Sequence, residues 1–133
     1  MKKIIVLLGK SNTGKTTTIM EVYKQLTKNT PAVVAQNGLI KSLGGKPCDY
    51  EGSFTYNGKK VGFCSRGDAK YYVGNVVDAY TFCDVLVVPV NPSNYNSVFI
   101  NMLEKTEEIR IVKKNQAEPA DNKRALNDII NLI

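Results

Sequence analysis

Apolar residues in this chain come as short unbroken runs separated by longer stretches in which they recur on one side only. Residues 3–8, Lys-Ile-Ile-Val-Leu-Leu, are β-branched and apolar nearly throughout, as expected for a strand buried on both faces. Glycines at 9 and 14 break the run. From about residue 15 to 28, Ile19, Val22, Tyr23 and Leu26 recur at i, i+3, i+4 and i+7, which predicts a helix with one buried face. Residues 32–36 predict a second short strand, and 37–49, with Gly38, Gly44, Gly45 and Pro47, a loop. Residues 51–56 and 60–65 flank Asn57-Gly58. That pair favours φ > 0 at both turn positions and so predicts a hairpin.

Beyond the hairpin, Val73, Val76, Val77 and Tyr80 mark one face of a helix at about 69–82. Residues 84–90 predict another buried strand. Ser93 or Asn94 is expected to cap a helix running to about 108. Residues 109–112 predict a last strand, and a helix from about 121 carries Leu126, Ile129, Ile130 and Ile133 on one face. Alternating strands and helices imply an α/β fold: a mostly parallel sheet with helices on both faces and an antiparallel hairpin strand. The 133 residues suit a single domain, without repeats or linkers.

Composition narrows the function. The net charge of +6 favours anionic partners, with nucleic acid among them. However, the lysines are scattered (Lys2-Lys3, Lys59-Lys60, Lys113-Lys114, Lys123-Arg124) and read as a solvated surface rather than a groove. Histidine is absent, which excludes His metal ligation and His general-base chemistry. Cys48, Cys64 and Cys83 form no metal-binding spacing, and their odd number predicts reduced thiols. Cys64 and Cys83, in apolar surroundings, are expected to be packing residues. Residues 4–8 are too short a run for a signal peptide or membrane span, so a soluble, cytoplasmic protein is expected.

The sharpest signal is Gly9-Lys10-Ser11-Asn12-Thr13-Gly14-Lys15-Thr16, which satisfies G-x-x-x-x-G-K-[ST] between a strand and an amphipathic helix. In such a loop the glycines let backbone N–H groups curl around an anion. The helix N-terminus adds partial positive charge. Lys15 supplies an ammonium for β- and γ-phosphates, and the Thr16 hydroxyl is a hard oxygen ligand for Mg²⁺.

On these residues the chain resembles the P-loop NTPase superfamily. The resemblance implies a three-layer α/β/α sandwich, a nucleoside triphosphate bound at Gly9 to Thr16, and Thr17 at the α-phosphate. It also calls for an acid at the end of a neighbouring strand, on the Mg²⁺ side. Asp68 follows the strand ending at Ser65 and is the choice; Asp84 precedes its strand and sits at the wrong end of a parallel sheet. Arg66, two residues before Asp68, is then expected near the phosphates or a second substrate.

The hairpin is similar to the layout of Ras-like GTPases, but the guanine-selecting Asn-Lys-x-Asp is missing: Lys113-Lys114-Asn115-Gln116-Ala117 stands in its place. ATP is therefore favoured over GTP. Lys10 occupies the place of the extra lysine of ParA/MinD-type ATPases, which implies a homodimer, although Ser11-Asn12 replaces the usual glycines. A small nucleotide or metabolite kinase is a further reading, with 37–49 (Lys41, Lys46) as the one candidate lid over a second substrate. The expected activity is Mg²⁺-dependent ATP binding with slow hydrolysis, with Lys15, Asp68 and Arg66 as the catalytic set and Ser65 or Asn91 as candidates to orient water. A non-catalytic nucleotide-binding module with a protein partner is the competing class. Tyr71, Tyr72 and Tyr95 are expected to pack rather than to stack on a base.

Overall fold

The computed structural model describes residues 1–11, 13–28, 40–42, 50–66 and 70–133. Along them run β1 (Lys3–Leu8), α1 (Lys15–Thr27), β2 (Ile40–Ser42), β3 (Tyr50–Tyr56), β4 (Lys59–Cys64), α2 (Lys70–Ala79), β5 (Val85–Val90), α3 (Pro92–Lys105), β6 (Glu108–Lys113) and α4 (Pro119–Leu132). The strands form one sheet in the order β2-β3-β4-β5-β1-β6. β4, β5, β1 and β6 are parallel; β3 pairs antiparallel with β4, and β2 antiparallel with β3. This is the α/β architecture the alternation predicts.

The central strands are apolar at every turn because each of their faces meets a helix layer. Ile5 and Leu7 of β1 and Val85 and Val87 of β5 pack with Ile19, Val22 and Tyr23 of α1 and Ala125 and Ile129 of α4. The intervening positions, Ile4, Val6, Leu86, Val88 and Val90, meet Val73, Val76 and Val77 of α2 and Val98 and Met102 of α3. Each such side chain removed from water contributes roughly 1.5–3 kcal/mol. Cys64 and Cys83 are buried, as expected, and burial pushes the Cys83 thiol up to about 11.

β5 carries a proline inside a central strand. It pairs with β1 along its whole length but with β4 only over Val85–Val87. The Gly9 N–H donates to Val90 O, so Val90 faces β1 and Pro89 faces β4. Lacking an N–H, Pro89 cannot extend the β4 ladder, and the pairing stops there.

The Asn57-Gly58 turn has φ of 50° and 76°, as the hairpin requires. Several boundaries depart from expectation, among them the end of α3 at Lys105 rather than near 108. Residues 40–42 of the expected loop form β2, because the free edge of β3 offers them a ladder. The rest of 29–39 and 43–49, including the strand expected at 32–36 and Lys46, lies outside the described residues. α2 ends at Ala79, where the Cys83 N–H turns back to Tyr80 O. Asn91, not Ser93 or Asn94, caps α3: its Oδ1 accepts from the Ser93 N–H and Pro92 takes the first helical position. α4 opens at Pro119, again with a proline in the first turn, but Glu118 before it makes no side-chain cap. Among the described residues no helix is long and apolar enough to cross a membrane.

Candidate functional site

The loop between β1 and α1 leaves the middle of the sheet, anchored by Gly9 on Val90. Both its glycines are sterically required. A Cβ on Gly9 would lie 2.6 Å from Lys114 O and 2.6 Å from Thr13 Oγ1. Gly14 has φ +84°, and a Cβ there would meet Asn122 Oδ1 at 2.8 Å. Gly14 opens α1 in the left-handed conformation, and no side chain caps that helix. Most helices that start without a ligand borrow a Ser, Thr, Asp or Asn oxygen at this point.

The carbonyls of the loop are turned towards Lys15. Its Nζ donates to Gly9 O at 2.5 Å and to Lys10 O at 2.7 Å, and Thr13 Oγ1 also donates to Lys10 O at 2.7 Å. In a planar trans peptide the N–H points opposite to the carbonyl. The N–H groups of Lys10 and Ser11 therefore face away from the ammonium. Lys10, Ser11 and Thr17 are exposed, and Thr13, Gly14, Lys15 and Thr16 are half-buried. Asn12 lies outside the described residues.

Two other strand ends meet this loop. The Thr16 hydroxyl donates to Ser65 O at 2.9 Å, just past the end of β4, which leaves its lone pairs for another partner. β4 is not the neighbour of β1, as the expectation for Asp68 assumed; β5 lies between them. Asp68 itself is outside the described residues. Arg66 is exposed two positions earlier, and its carbonyl accepts from the Cys64 thiol. The Ser65 hydroxyl is engaged with the main chain of Tyr50, accepting from its N–H at 2.9 Å and donating to its carbonyl. The carbonyl of Ser65 thus faces the loop, and the hydroxyl does not. At the end of β5, Asn91 Nδ2 donates to Ser11 Oγ at 3.2 Å while Oδ1 caps α3.

Asp84, rejected as a site acid, lies at the other end of the sheet, where its carboxylate accepts from the Lys60 N–H at 2.8 Å. A cavity of about 440 Å³ at that end, lined by Lys2, Lys3, Lys59 and Asp84, includes none of the expected site residues. Tyr95 is half-buried against Phe99, ring centroids 5.3 Å apart, and does not serve as an open stacking platform.

The neighbouring loop, between β6 and α4, was not expected to take part. Lys114, read as surface charge, has a fully buried side chain whose Nζ bonds Asp121 Oδ2 at 2.8 Å and the carbonyl of Gln116. Asp121 Oδ2 also accepts from the N–H groups of Asn115 and Gln116 at 3.0 and 3.1 Å. Its Oδ1 receives Arg124, which in turn bonds Lys113 O at 2.6 Å. Lys114, foremost among these donors, holds the Asp121 carboxyl well below the usual carboxylate range. The available signal was a lysine just past a strand, seven residues before an aspartate in the first turn of a helix. A groove of about 350 Å³ opens over the two loops, lined by Gly9, Lys10, Thr13, Pro92, Lys113 and Asn115.

The arrangement offers an uncapped helix start, a tethered ammonium, a hydroxyl with free lone pairs and an adjoining groove. Among the described residues no three His, Cys, Asp or Glu side chains cluster, so any metal there would rest on hydroxyl and carbonyl oxygens and on groups outside them. Compared with protein-family models, with curated proteins and with solved structures, the chain matches none.

Proposed function

We propose that the chain binds a nucleoside triphosphate with Mg²⁺ at Gly9 to Thr16 and hydrolyses it slowly, as a P-loop NTPase built on a three-layer sandwich. The observation that carries this reading is the start of α1: a left-handed Gly14, no side-chain cap, and Lys15 held against the loop carbonyls. A helix end left open in this way suits an anion. Lys15 would add a full positive charge beside the β- and γ-phosphates, and Thr17, exposed on the first turn, is the hydroxyl proposed for the α-phosphate.

Mg²⁺, when bound, neutralises charge building on the phosphate oxygens. The Thr16 hydroxyl fits it as a hard donor, since the bond to Ser65 O uses the hydrogen and not the lone pairs. Asp68 is the carboxylate proposed to complete that side, with Arg66 turned to the phosphates or to a second substrate. ATP is preferred to GTP because Lys113-Lys114-Asn115-Gln116-Ala117 stands where the guanine-selecting Asn-Lys-x-Asp would, and Asp121 beyond it is engaged by Lys114, Arg124 and two backbone N–H groups. A cytoplasmic setting agrees with the thiols of Cys64 and Cys83, which form no disulfide.

A second reading, a binding module with little turnover, is favoured by one observation. The two side chains considered for orienting water are both engaged, Ser65 with Tyr50 and Asn91 with Ser11 and α3. Titration with a fluorescent ATP analogue, with and without Mg²⁺, tests the binding. Lys15→Ala is expected to weaken it by roughly 10- to 100-fold, the value of one or two hydrogen bonds to a charged group. Unchanged affinity would overturn the assignment. Phosphate release then separates hydrolase from module.

A further inference from the structure

We propose that β6 is a dimerisation edge, pairing antiparallel with β6 of a second copy about a two-fold axis through Arg110. β6 closes the sheet on one side, six residues long, against the three of β2 on the other. The Lys114 N–H donates to Leu8 O, so residues 108, 110 and 112 turn their main-chain groups to β1, and 109, 111 and 113 turn theirs outward.

The outward groups select one register. Centring on Ile111 would require Lys113 O, which Arg124 already occupies. Centring on Ile109 would require the Glu107 main chain, whose N–H is bonded to Met1 O. Centring on Arg110 uses only the main chains of Ile109 and Ile111, each opposite the other in the partner, and disturbs neither bond. A hydrogen-bonded antiparallel pair exchanges two bonds, so this register forms about four.

The side chains suit the same register. Ile109 and Ile111 would meet their counterparts on the face that carries α2 and α3, where Ile111, Ile100 and Leu103 are 45%, 66% and 54% exposed. On the opposite face Arg110 would meet its own copy, but each guanidinium brings Glu108 with it at 3.1 Å, and the four charges sum to zero. A groove of about 430 Å³ between this edge and α4 leaves room for an incoming strand. This surface is separate from the glycine loop, so the proposal stands or falls independently of nucleotide binding.

Sedimentation equilibrium of the wild-type chain and two variants tests it. Ile111→Pro deletes an outward N–H and leaves the bonds to β1 intact. It is expected to weaken association about thirty-fold, one neutral hydrogen bond per protomer, with the monomer still folded by circular dichroism. Arg110→Cys would bring two thiols together at a Cα separation of about 4.5 Å, within disulfide range. It is expected to yield a covalent dimer under mild oxidation that the wild-type chain does not form. A wild-type chain that stays monomeric at its highest attainable concentration overturns the proposal. So does a dimer that survives Ile111→Pro and is not linked by Arg110→Cys. If Ile111→Pro fails to fold, the cross-link alone decides.

Discussion

Two helices of this molecule start beside each other at the carboxyl end of the sheet, neither with a side-chain cap, and the loops that lead into them differ. α4 is preceded by a loop whose polar groups are satisfied from within: Asp121 gathers Lys114, Arg124 and the N–H groups of Asn115 and Gln116. α1 is preceded by a loop that puts glycine where a capping side chain would stand. The first is closed chemically and the second is open. The difference shows that a helix N-terminus becomes a candidate ligand site through what its neighbours withhold. Beneath the groove the glycine loop rests on its neighbour, Gly9 against the Lys114 carbonyl and Gly14 against Asn122 of α4, whose buried Oδ1 has no partner. The closed loop therefore buttresses the open one.

The most direct way to break this contrast is Asp121→Asn. It strands the buried Lys114 ammonium and is expected to cost about 3–5 kcal/mol in chemical denaturation. Because the folded-state pKa of Asp121 is depressed, its contribution is full above the unfolded value of about 3.9 and is lost as pH falls further. Denaturation curves of variant and wild type should therefore converge in acid; a constant gap across pH would refute the buried pair.

Gly9→Ala attacks the contact between the loops. With Lys114 O and Thr13 Oγ1 both at 2.6 Å from the new Cβ, a loss of about 1–3 kcal/mol is expected. It should weaken nucleotide binding as well, whereas Asp121→Asn acts on nucleotide only through the loosened buttress. The mildest change is Asn91→Ala. It removes the cap of α3 and the bond to Ser11 for about 1 kcal/mol, read as a small drop in thermal midpoint. A larger loss would mean that Asn91 holds the open loop in shape.

Local pattern revealed the elements whose signal is local. β1, α1, the Asn57-Gly58 hairpin and β5 stand where the apolar runs and turn residues place them, because burial on both faces imposes continuous apolar runs. Asn91 was readable too, as an Asn-Pro pair, but Ser93 and Asn94 competed for the same role. β2 was hidden because its partner β3 creates it, against a glycine-rich local sequence. Strand order was equally hidden: nothing in residues 85–90 says that they lie between β1 and β4. Of the site, Gly9, Gly14, Lys15 and Thr16 were legible from spacing alone. Lys114 was not, since burial of a lysine depends on a carboxylate that only the folded chain brings to it.

Pro89 has a consequence for the mouth of the sheet. Had an ordinary residue stood there, its N–H could have stitched β5 to β4 one step further. The lips of these two strands would then lie flush at the rim, joined through the Cys64 carbonyl, since Ser65 turns its main chain towards β3. The imino ring leaves the seam unsewn, and one residue beyond it the Ser65 carbonyl accepts from Thr16, on the helix across the gap. A single absent hydrogen thus marks the height at which a continuous wall gives way to an opening.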